Sequence, residues 1–452
     1  MKKVFALVFC ISILSAALLI TSYAAQPAQE SFAVACALTA DQVKARGYIR
    51  QVYDYYRENV LAYRNTDNTT TIHVFSAPVE SAVNTVTQPV NGGYTGNSDH
   101  ITTLLPETLS SVNGIQISNT GNFINIFPAD NNEYLSKIQS ATNAFGQEKT
   151  AVVYEDMFGE GIDFYCYPTS FGINSEISLK KYTGKNTFQI KIQTPELVPD
   201  TGSPDYILFK TALEKGTVRS ILYTPLLSDK RGNWSYANSV RLIEKDSTTN
   251  TYTVEYTIDE EFLKDKATKY PIRINQSIHL YKSKQPDTSA YEKTGDEAGH
   301  YLSPYMLLGN DTVKGEGWTF IRYETLNNLN IDPEKIVSAK YIFHNLFDLK
   351  ADTKISACAV TADWCSINTR WFNRPTFDEK SVDTVTVKKT GDYGLDLTVL
   401  VKEMLMNKNI KDARYSVRNS FMIRSDSWGS SIILPSGDNG LFSPYFEIVL
   451  HD

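Results

Sequence analysis

The strongest constraint on the fold is an alternation of apolar and polar side chains that recurs in short runs along the chain. In residues 251–258 every second side chain is apolar, and those between are Thr or Glu. A period of two places the apolar side chains on one face of a β-strand and the polar ones in water. The same period recurs in three further runs: Phe188, Ile190 and Ile192; Val337, Ala339, Tyr341 and Phe343; Phe446, Ile448 and Leu450. Because short polar turns separate most runs, the fold is predicted to be mainly antiparallel β.

Two segments carry a helical period instead. Thr39 and Gln42 have the spacing of a capping box, which predicts an N-terminal helix of roughly 20 residues. Its apolar face would consist of Ile49, Val52, Tyr53, Tyr56 and Val60. A second helix is predicted to follow Asp396 as N-cap and to close one end of a sandwich. Its apolar positions are Leu397, Leu400, Val401, Met404 and Leu405.

Residues 1–25 resemble a secretory signal. Lys2 and Lys3 precede an apolar stretch over 4–20, and the stretch ends in a small-residue pattern at 22–25. The alternative is an uncleaved anchor, because the apolar stretch is at the lower limit for spanning a bilayer. With the signal removed, we expect a protein that is secreted, extracellular or cell wall-associated, with no further membrane contact.

The chain has 452 residues, which is enough for two or three domains at roughly 100 to 200 residues each. The clearest boundary is the polar stretch 281–299, which lacks apolar periodicity. We predict a signal peptide over 1–25, an N-terminal helical segment over 26–64, a β-rich domain over 65–280 and a second β domain over 281–452.

The charge balance argues against nucleic acid. Lys and Arg total 44 and Asp and Glu total 51, a formal charge of −7. A phosphate backbone requires clustered cations, so no nucleic-acid partner is predicted. Two glycine pairs, at 159–161 and 315–317, each lack the third Gly of a dinucleotide loop. No cofactor is predicted.

No catalytic residue is predicted. The His residues lack the spacing of a helical zinc protease, and the stretch 96–100 (GNSDH) lacks the second Gly of a serine nucleophile turn. Asp156, Glu160 and Asp163 are interpreted as solvated carboxylates near strand ends, and 259–261 as a solvated turn or helix start. A calcium site built partly from backbone carbonyls stays open.

The cysteine residues give no metal or redox motif. After signal cleavage four remain, and their spacing fits neither a zinc site nor a CxxC pair. Cys358 and Cys365 could form a disulfide in an oxidising space, or could stay as buried free thiols.

Several motifs in the last third of the chain match a known module in their order. They are 318–323 (WTFIRY), 336–341 (IVSAKY), Trp364 with 369–375 (TRWFNRP), 395–398 (LDLT), 419–423 (NSFMI) and 444–448 (PYFEI). In this order residues 318–450 resemble the DNRLRE domain of secreted bacterial proteins. The resemblance implies that the C-terminal domain is an antiparallel β-sandwich of the jelly-roll type. Some relatives of this module are classed as carbohydrate-binding.

The upstream half resembles the N-terminal region of wall-associated RHS-type proteins. The motifs are 57–60 (RENV), 76–79 (SAPV), 154–158 (YEDMF), 161–164 (GIDF), 177–180 (ISLK) and 270–274 (YPIRI). The sequence departs from that family at 91–94 (NGGY), where a Gly-x-Trp-x-Asp-Ile-Asp segment is often found. It ends at Asp452 without RHS repeats or a C-terminal toxin. We therefore expect no toxin activity.

Exposed aromatic side chains are the best candidates for ligand contacts, because an aromatic ring can stack on a sugar or anchor a partner. Trp428 lies in the polar turn 424–431, and Tyr301 and Tyr305 lie in the loop-like stretch 299–305. These three residues are the predicted ligand-binding residues. Three aromatic residues of the DNRLRE-like segment are interpreted as core packing: Trp364, Trp371 and Phe372.

From sequence alone we therefore expect a secreted, non-catalytic protein that binds polysaccharide or another cell-envelope component through its C-terminal jelly roll. One alternative is a structural or adhesion scaffold whose partner is a surface protein. The other is a polysaccharide-degrading enzyme, which would need two carboxylates in one cleft.

Overall fold

The structure is a computed structural model that describes residues 38–451 with short gaps. The gaps are 77–78, 80–85, 90–91, 99–100, 120–121, 170, 196, 204, 213–216, 281–286, 295–299, 408–419, 428–430 and 440. The predicted signal therefore lies outside the described residues. No helix among the described residues is both long and apolar enough to cross a membrane.

Strands dominate the described chain, as the alternation predicts. Those before residue 200 are Tyr48–Arg57 (β1), Val60–Asn65 (β2), Thr69–Phe75 (β3), Val86–Pro89 (β4), Gly93–Asn97 (β5), Thr102–Pro106 (β6), Thr108–Leu109 (β7), Ile115–Asn119 (β8), Asn122–Pro128 (β9), Tyr134–Thr142 (β10), Glu148–Tyr154 (β11), Ile162–Thr169 (β12), Gly172–Leu179 (β13), Thr187–Gln193 (β14) and Leu197–Asp200 (β15). The next are Tyr206–Thr211 (β16), Val218–Tyr223 (β17), Leu226–Ser228 (β18), Trp234–Ser235 (β19), Ser239–Asp246 (β20), Thr251–Thr257 (β21) and Ile272–His279 (β22).

The remaining strands belong to the last third of the chain. They are Asp287–Tyr291 (β23), Tyr305–Asp311 (β24), Gly315–Arg322 (β25), Ile336–Asn345 (β26), Thr353–Ala359 (β27), Asp383–Val387 (β28), Gly391–Asp396 (β29), Ser420–Ser425 (β30), Ser431–Pro435 (β31) and Tyr445–His451 (β32). The described helices are Ala40–Ala45 (α1), Glu260–Lys264 (α2), Glu324–Asn328 (α3) and Thr398–Asn407 (α4), with 3₁₀ turns at His300–Leu302 and Pro333–Lys335.

The described strands form four antiparallel sheets that pack as two sandwiches. The first sandwich joins an eleven-stranded sheet, built around β22, β13 and β12, to an eight-stranded sheet of order β20-β21-β14-β9-β8-β6-β5-β4. A continuous apolar core drawn from residues 101–280 fills the space between them. The second sandwich joins a six-stranded sheet of order β1-β2-β3-β32-β26-β29 to a seven-stranded sheet of order β28-β27-β30-β25-β24-β31, with β23 beside β25. The fold class is therefore mainly antiparallel β, as predicted.

The start of the chain belongs to the second sandwich. Strand β3 pairs with β32 along its whole length, from Thr69 opposite His451 to Phe75 opposite Tyr445. Val60, Ile72 and Val74 are fully buried in the core of that sandwich. The sheets therefore do not separate at the predicted 64/65 boundary, because a segment from each side of it completes the C-terminal sandwich. The alternation could not show this, since pairing between strands hundreds of residues apart leaves no local pattern.

The predicted long N-terminal helix is wrong, although its capping box is present. The Thr39 hydroxyl accepts from the Gln42 backbone, the Gln42 side chain accepts from the Thr39 backbone, and α1 ends after six residues. Gly47 follows with φ of +76°, a left-handed conformation that terminates helices. The next segment is strand β1, whose β-branched and aromatic residues favour extended backbone.

The later helix and the predicted strands are confirmed, but the expected burial is not met throughout: the polar Thr253 and Glu255 of β21 are buried, and Val337 of β26 is 45% exposed. In α4, Leu400, Val401 and Met404 are buried against the second core, and Asp396 Oδ1 accepts from the Thr398 backbone N–H at 2.9 Å. Alternation is clearest in β14, where every second side chain is fully buried. The two periods thus report which face each element buries.

Candidate functional site

The three predicted ligand contacts do not form a site. Trp428 lies outside the described residues. Tyr301 is partly buried and packs edge-on against Tyr206, with ring centroids 6.1 Å apart. Tyr305 is only 4% exposed, and its hydroxyl donates to Asn275 Oδ1 at 3.1 Å. The ring of Tyr305 is therefore unavailable for stacking on a ligand, because this stretch packs against the first sandwich.

A buried charged cluster joins the two sandwiches next to these tyrosines. His300 Nδ1 lies 2.5 Å from Asp205 Oδ2, and Lys314 Nζ lies 3.0 Å from Asp205 Oδ1. The Lys314 ammonium also lies over the rings of Tyr236 and Tyr291, 5.1 and 4.5 Å from their centroids. Burial alone raises the pKa of Asp205, but the charges of His300 and Lys314 outweigh it and hold that pKa well below its usual range. We call the contact region that contains this cluster the seam.

A second buried polar cluster of the seam is centred on Glu176, which is fully buried. Its carboxylate accepts from the Ala144 N–H at 2.7 Å and lies 3.8 Å from Arg273 Nη1. Burial raises the pKa of Glu176, partly opposed by the charge of Arg273. Asn275, which Tyr305 contacts, also donates to Glu176 at 3.4 Å. Asp205, His300 and Glu176 are all buried. The two clusters therefore join the sandwiches and do not present reactive groups to a substrate.

Polar and charged side chains that solvent can reach line a cleft of about 790 Å³ at one end of the first sandwich. Three segments line it: the β9–β10 connection with Asp130 and Tyr134, the β11–β12 loop with Phe158, and the start of β14 with Lys185 just before it. The Tyr134 hydroxyl donates to Asp130 Oδ2 at 2.6 Å. Lys185 Nζ donates to the Phe158 carbonyl at 2.9 Å and lies 5.5 Å from the Phe188 ring centroid.

The proton affinities of two cleft residues are shifted. Partial burial, together with the hydrogen bond to Asp130, raises the pKa of Tyr134. Desolvation lowers the pKa of Lys185, and the charge of Asp130 opposes that shift. Titratable groups with shifted pKa values in an open cleft are typical of functional sites. The cleft, which we call the Asp130 cleft, therefore contains a hydrogen-bonded pair of a phenol and a carboxylate and one ammonium group.

The loop that forms one wall of the cleft explains why the Asp163 carboxylate is buried. Asp156 has φ of +54°, and its side chain accepts from the Gly161 N–H at 2.6 Å. Asp163 accepts from the Asp156 N–H at 3.1 Å and pairs with Lys180 at 2.9 Å, and its residue is 2% exposed. The prediction that Asp163 is solvated is wrong, since it is buried to hold this loop. The helix start at 259–261 is confirmed, with Asp259 as N-cap of α2.

The described residues form no cluster of metal ligands, and their cysteine residues are free thiols. They contain no group of three or more His, Cys, Asp or Glu side chains placed to hold a metal ion. Cys358 is a buried free thiol and Cys365 an exposed one, so the free-thiol alternative applies to this pair. The Cys365 thiol is exposed, so the expected burial holds for Cys358 and is wrong for Cys365.

The DNRLRE-like segment presents more surface than predicted. Trp364 is 7% exposed, in agreement with a packing role. Phe372, however, is 64% exposed, so its assignment to the core is wrong. Trp371 is partly buried and stacks on the guanidinium of Arg374 at 4.2 Å from the ring centroid. The sequence signal was the interleaving of Arg with aromatic residues in 369–374 (TRWFNR).

Comparison with known proteins gives relatives but no family. No protein-family model matches the chain. The tRNA nuclease WapA of Bacillus subtilis (strain 168) is 25% identical over 320 residues, which are 67% of this chain and 13% of the relative. The tRNA3(Ser)-specific nuclease WapA of Bacillus spizizenii has the same identity and coverage. The chain thus spans 13% of the length of the curated relatives it matches.

Similarity to solved structures is weak. A Paenibacillus xanthan lyase gives a TM-score of 0.12 at 10% identity, covering 91% of this chain and 40% of that one. An exo-β-1,3-galactanase from Phanerochaete chrysosporium gives 0.13 at 10% identity, covering 87% and 94%. TM-scores this low do not indicate a shared fold.

The curated relatives contradict three predictions: a polysaccharide-binding function, the absence of enzymatic activity, and the absence of a nucleic-acid partner. All of these relatives are named as nucleases of tRNA. A net charge is a sum over the whole chain and does not locate its cations, so it does not exclude a nucleic-acid partner. The shared region is 13% of each relative, so the end of this sequence at Asp452 does not exclude a toxin.

Proposed function

We propose that this chain is part of an exported nuclease toxin that acts on tRNA. The observation that carries the proposal is its similarity, over two thirds of its length, to proteins named as tRNA nucleases. The signal-like residues 1–25 and the resemblance of the upstream half to wall-associated RHS-type proteins support secretion or attachment to the cell wall. The DNRLRE-like second sandwich would be a rigid part of this exported protein.

Among the described residues, the Asp130 cleft has the chemistry best suited to RNA cleavage. Cleavage by the neighbouring 2′-hydroxyl needs a base for that hydroxyl, a cation beside the phosphate and a proton for the departing 5′-oxygen. The Asp130 carboxylate would accept the proton of the 2′-hydroxyl as its oxygen bonds to phosphorus, the bond from phosphorus to the 5′-oxygen would break, and water would protonate the departing 5′-oxygen. Lys185 would face a non-bridging phosphate oxygen. Tyr134, hydrogen-bonded to Asp130 at 2.6 Å, would orient that carboxylate.

The test is cleavage of purified tRNA by the full chain, followed on denaturing gels with and without a chelator. Asp130→Asn removes the base while keeping the shape of the side chain, and Lys185→Met removes the cation. Lys137→Met is the matched control, because Lys137 pairs with exposed Glu155 just after the neighbouring strand and does not line the cleft. We expect each cleft variant to cleave about 100-fold more slowly and the control to cleave normally.

Two outcomes would contradict these statements separately. Intact tRNA after prolonged incubation with the full chain, with or without divalent metal, would overturn the nuclease proposal for this chain. Cleavage that Asp130→Asn and Lys185→Met leave unchanged would retain the nuclease and place its active site outside the Asp130 cleft.

A further inference from the structure

The outer face of the seven-stranded sheet carries a stack of aromatic rings and guanidinium groups. The Arg374 guanidinium packs against two indoles that also contact each other: it lies 4.6 Å from the Trp318 ring centroid and 4.2 Å from that of Trp371, and the two indole centroids are 4.7 Å apart. The Trp318 ring meets Phe377 edge-on at 5.1 Å, and Arg424 lies 5.7 Å from the Phe377 centroid. We call these residues, together with exposed Phe372, the arginine–tryptophan ladder.

The segment that carries the ladder is held at its base. The Thr361 N–H donates to the Thr376 carbonyl at 2.8 Å, and Val360 forms a β-bridge with Phe377. At its tip, Asn373 Oδ1 accepts from the Arg370 N–H at 2.7 Å. A surface fixed in this way loses little conformational entropy on binding.

The charges along the ladder are not all neutralised. Arg424 pairs with Asp426 at 3.0 Å, whereas no carboxylate of the described residues lies within ion-pair distance of Arg374. Arg374 donates instead to the Trp371 carbonyl. Its positive charge therefore lies against two aromatic rings without a carboxylate partner in the described part of the chain.

The exposure of the Phe372 side chain suggests that this surface binds a ligand. Phe372 is 64% exposed and follows Trp371 in the chain, so an apolar ring stands in water on the segment that carries Arg374. Flat rings interleaved with arginine are the combination that binds single-stranded nucleic acid, since bases stack on the rings and phosphates meet the guanidinium groups. A duplex fits this surface poorly, because its bases are already stacked.

We propose that the arginine–tryptophan ladder binds unpaired nucleotides of RNA, with a base on Phe372 and Trp371 and a phosphate at Arg374. The choice of RNA rests on the proposed tRNA nuclease function. The ladder lies in the second sandwich and the Asp130 cleft in the first, so the ladder would bind the substrate away from the cleft and act in binding alone.

The experiment measures the binding of a short fluorescein-labelled RNA to the full chain by fluorescence anisotropy at low and moderate salt. The single strand is compared with the duplex of the same sequence. Phe372→Ala is the main variant, because an exposed side chain can be removed without disturbing the core. Phe123→Ala, which truncates an exposed aromatic residue of the first sandwich, is the matched control.

We expect the single strand to bind more tightly than the duplex and Phe372→Ala to weaken binding about tenfold. Arg374→Lys, which keeps the charge but loses the planar group, should weaken binding while its melting curve reports any loss of folding. Phe123→Ala should bind like the wild type. Equal binding by Phe372→Ala and the wild type, or no binding by the wild type, would overturn the ladder proposal.

The outcomes separate this proposal from the nuclease proposal. Binding that depends on Phe372 without any tRNA cleavage would support the ladder and overturn the nuclease. Cleavage of tRNA together with binding that is insensitive to Phe372→Ala would support the nuclease and overturn the ladder.

Discussion

His300 Nδ1 approaches Asp205 Oδ2 to 2.5 Å across the seam between the two sandwiches. The Asp205 carboxylate belongs to the first sandwich, and its two cationic or potentially cationic partners, His300 and Lys314, come from the second half of the chain. Asp205 is 2% exposed, so water cannot replace either partner. The two sandwiches are thus joined by charge as well as by apolar packing.

Asp205→Asn is expected to destabilise the protein by about 3 to 5 kcal/mol, because it leaves the Lys314 ammonium buried without its counter-charge. Urea unfolding followed by tryptophan fluorescence measures the change. The double variant Asp205→Asn with Lys314→Met should be more stable than the single variant, since it removes the orphaned charge. A single variant as stable as the wild type would show that the ion pair contributes nothing.

The free energy of unfolding is expected to decrease in two stages as the pH is lowered. The pKa of His279, between Phe171 and Tyr223, is lowered to about 3 by burial, so the folded protein resists the proton that unfolded His279 takes up near its ordinary pKa of 6.5. The free energy of unfolding should therefore decrease as pH falls from 6.5 towards 3. The pKa of Asp205 is lowered, so its contribution is present above the unfolded pKa and is lost at still more acidic pH.

Urea unfolding at a series of pH values tests the first stage. His279→Gln, which keeps a neutral polar side chain, should flatten the slope between pH 6.5 and 3 by the equivalent of one proton. An unchanged slope in that variant would contradict the assignment.

Sequence reasoning succeeded where the signal is local. The period of two in β14 and the helical period of α4 each report one buried face, and both elements form as predicted. It failed at β1, because the spacing of Ile49, Val52 and Tyr53 suits a helix while β-branched and aromatic residues favour a strand. The sequence did not predict the seam, since Asp205 and His300 lie 95 residues apart and neither belongs to a motif.

Gly317→Ala is expected to destabilise the second sandwich by about 3 kcal/mol. Gly317 in β25 lies opposite Gly309 of β24, and a Cβ there would sit 2.3 Å from the Leu307 carbonyl oxygen. That atom is backbone in a central strand pair and cannot move aside. Thermal unfolding measures the loss. In the control Gly202→Ala, the nearest atom is a carboxylate oxygen of Asp200 at 3.2 Å, which can rotate, so little change is expected.

The start of the chain supplies strands β1, β2 and β3 to the second sandwich. A fragment of residues 287–451 lacks β1, β2 and β3, so β32 would lose the partner that pairs with it from Thr69 to Phe75. It would also lose core side chains such as Val60, Ile72 and Val74. We therefore expect this fragment to show no cooperative unfolding and weak near-ultraviolet circular dichroism.

Joining residues 38–76 behind residue 451 through a flexible linker should restore folding, because β3 runs antiparallel to β32 and Thr69 lies opposite His451. The same linker carrying residues 38–76 with Ile72→Asp and Val74→Asp is the control, since both side chains are fully buried in this core and charged replacements cannot pack there. Cooperative unfolding of the bare 287–451 fragment, with a urea midpoint equal to that of the fusion, would show that the first three strands are dispensable and that the C-terminal sandwich is an independent domain.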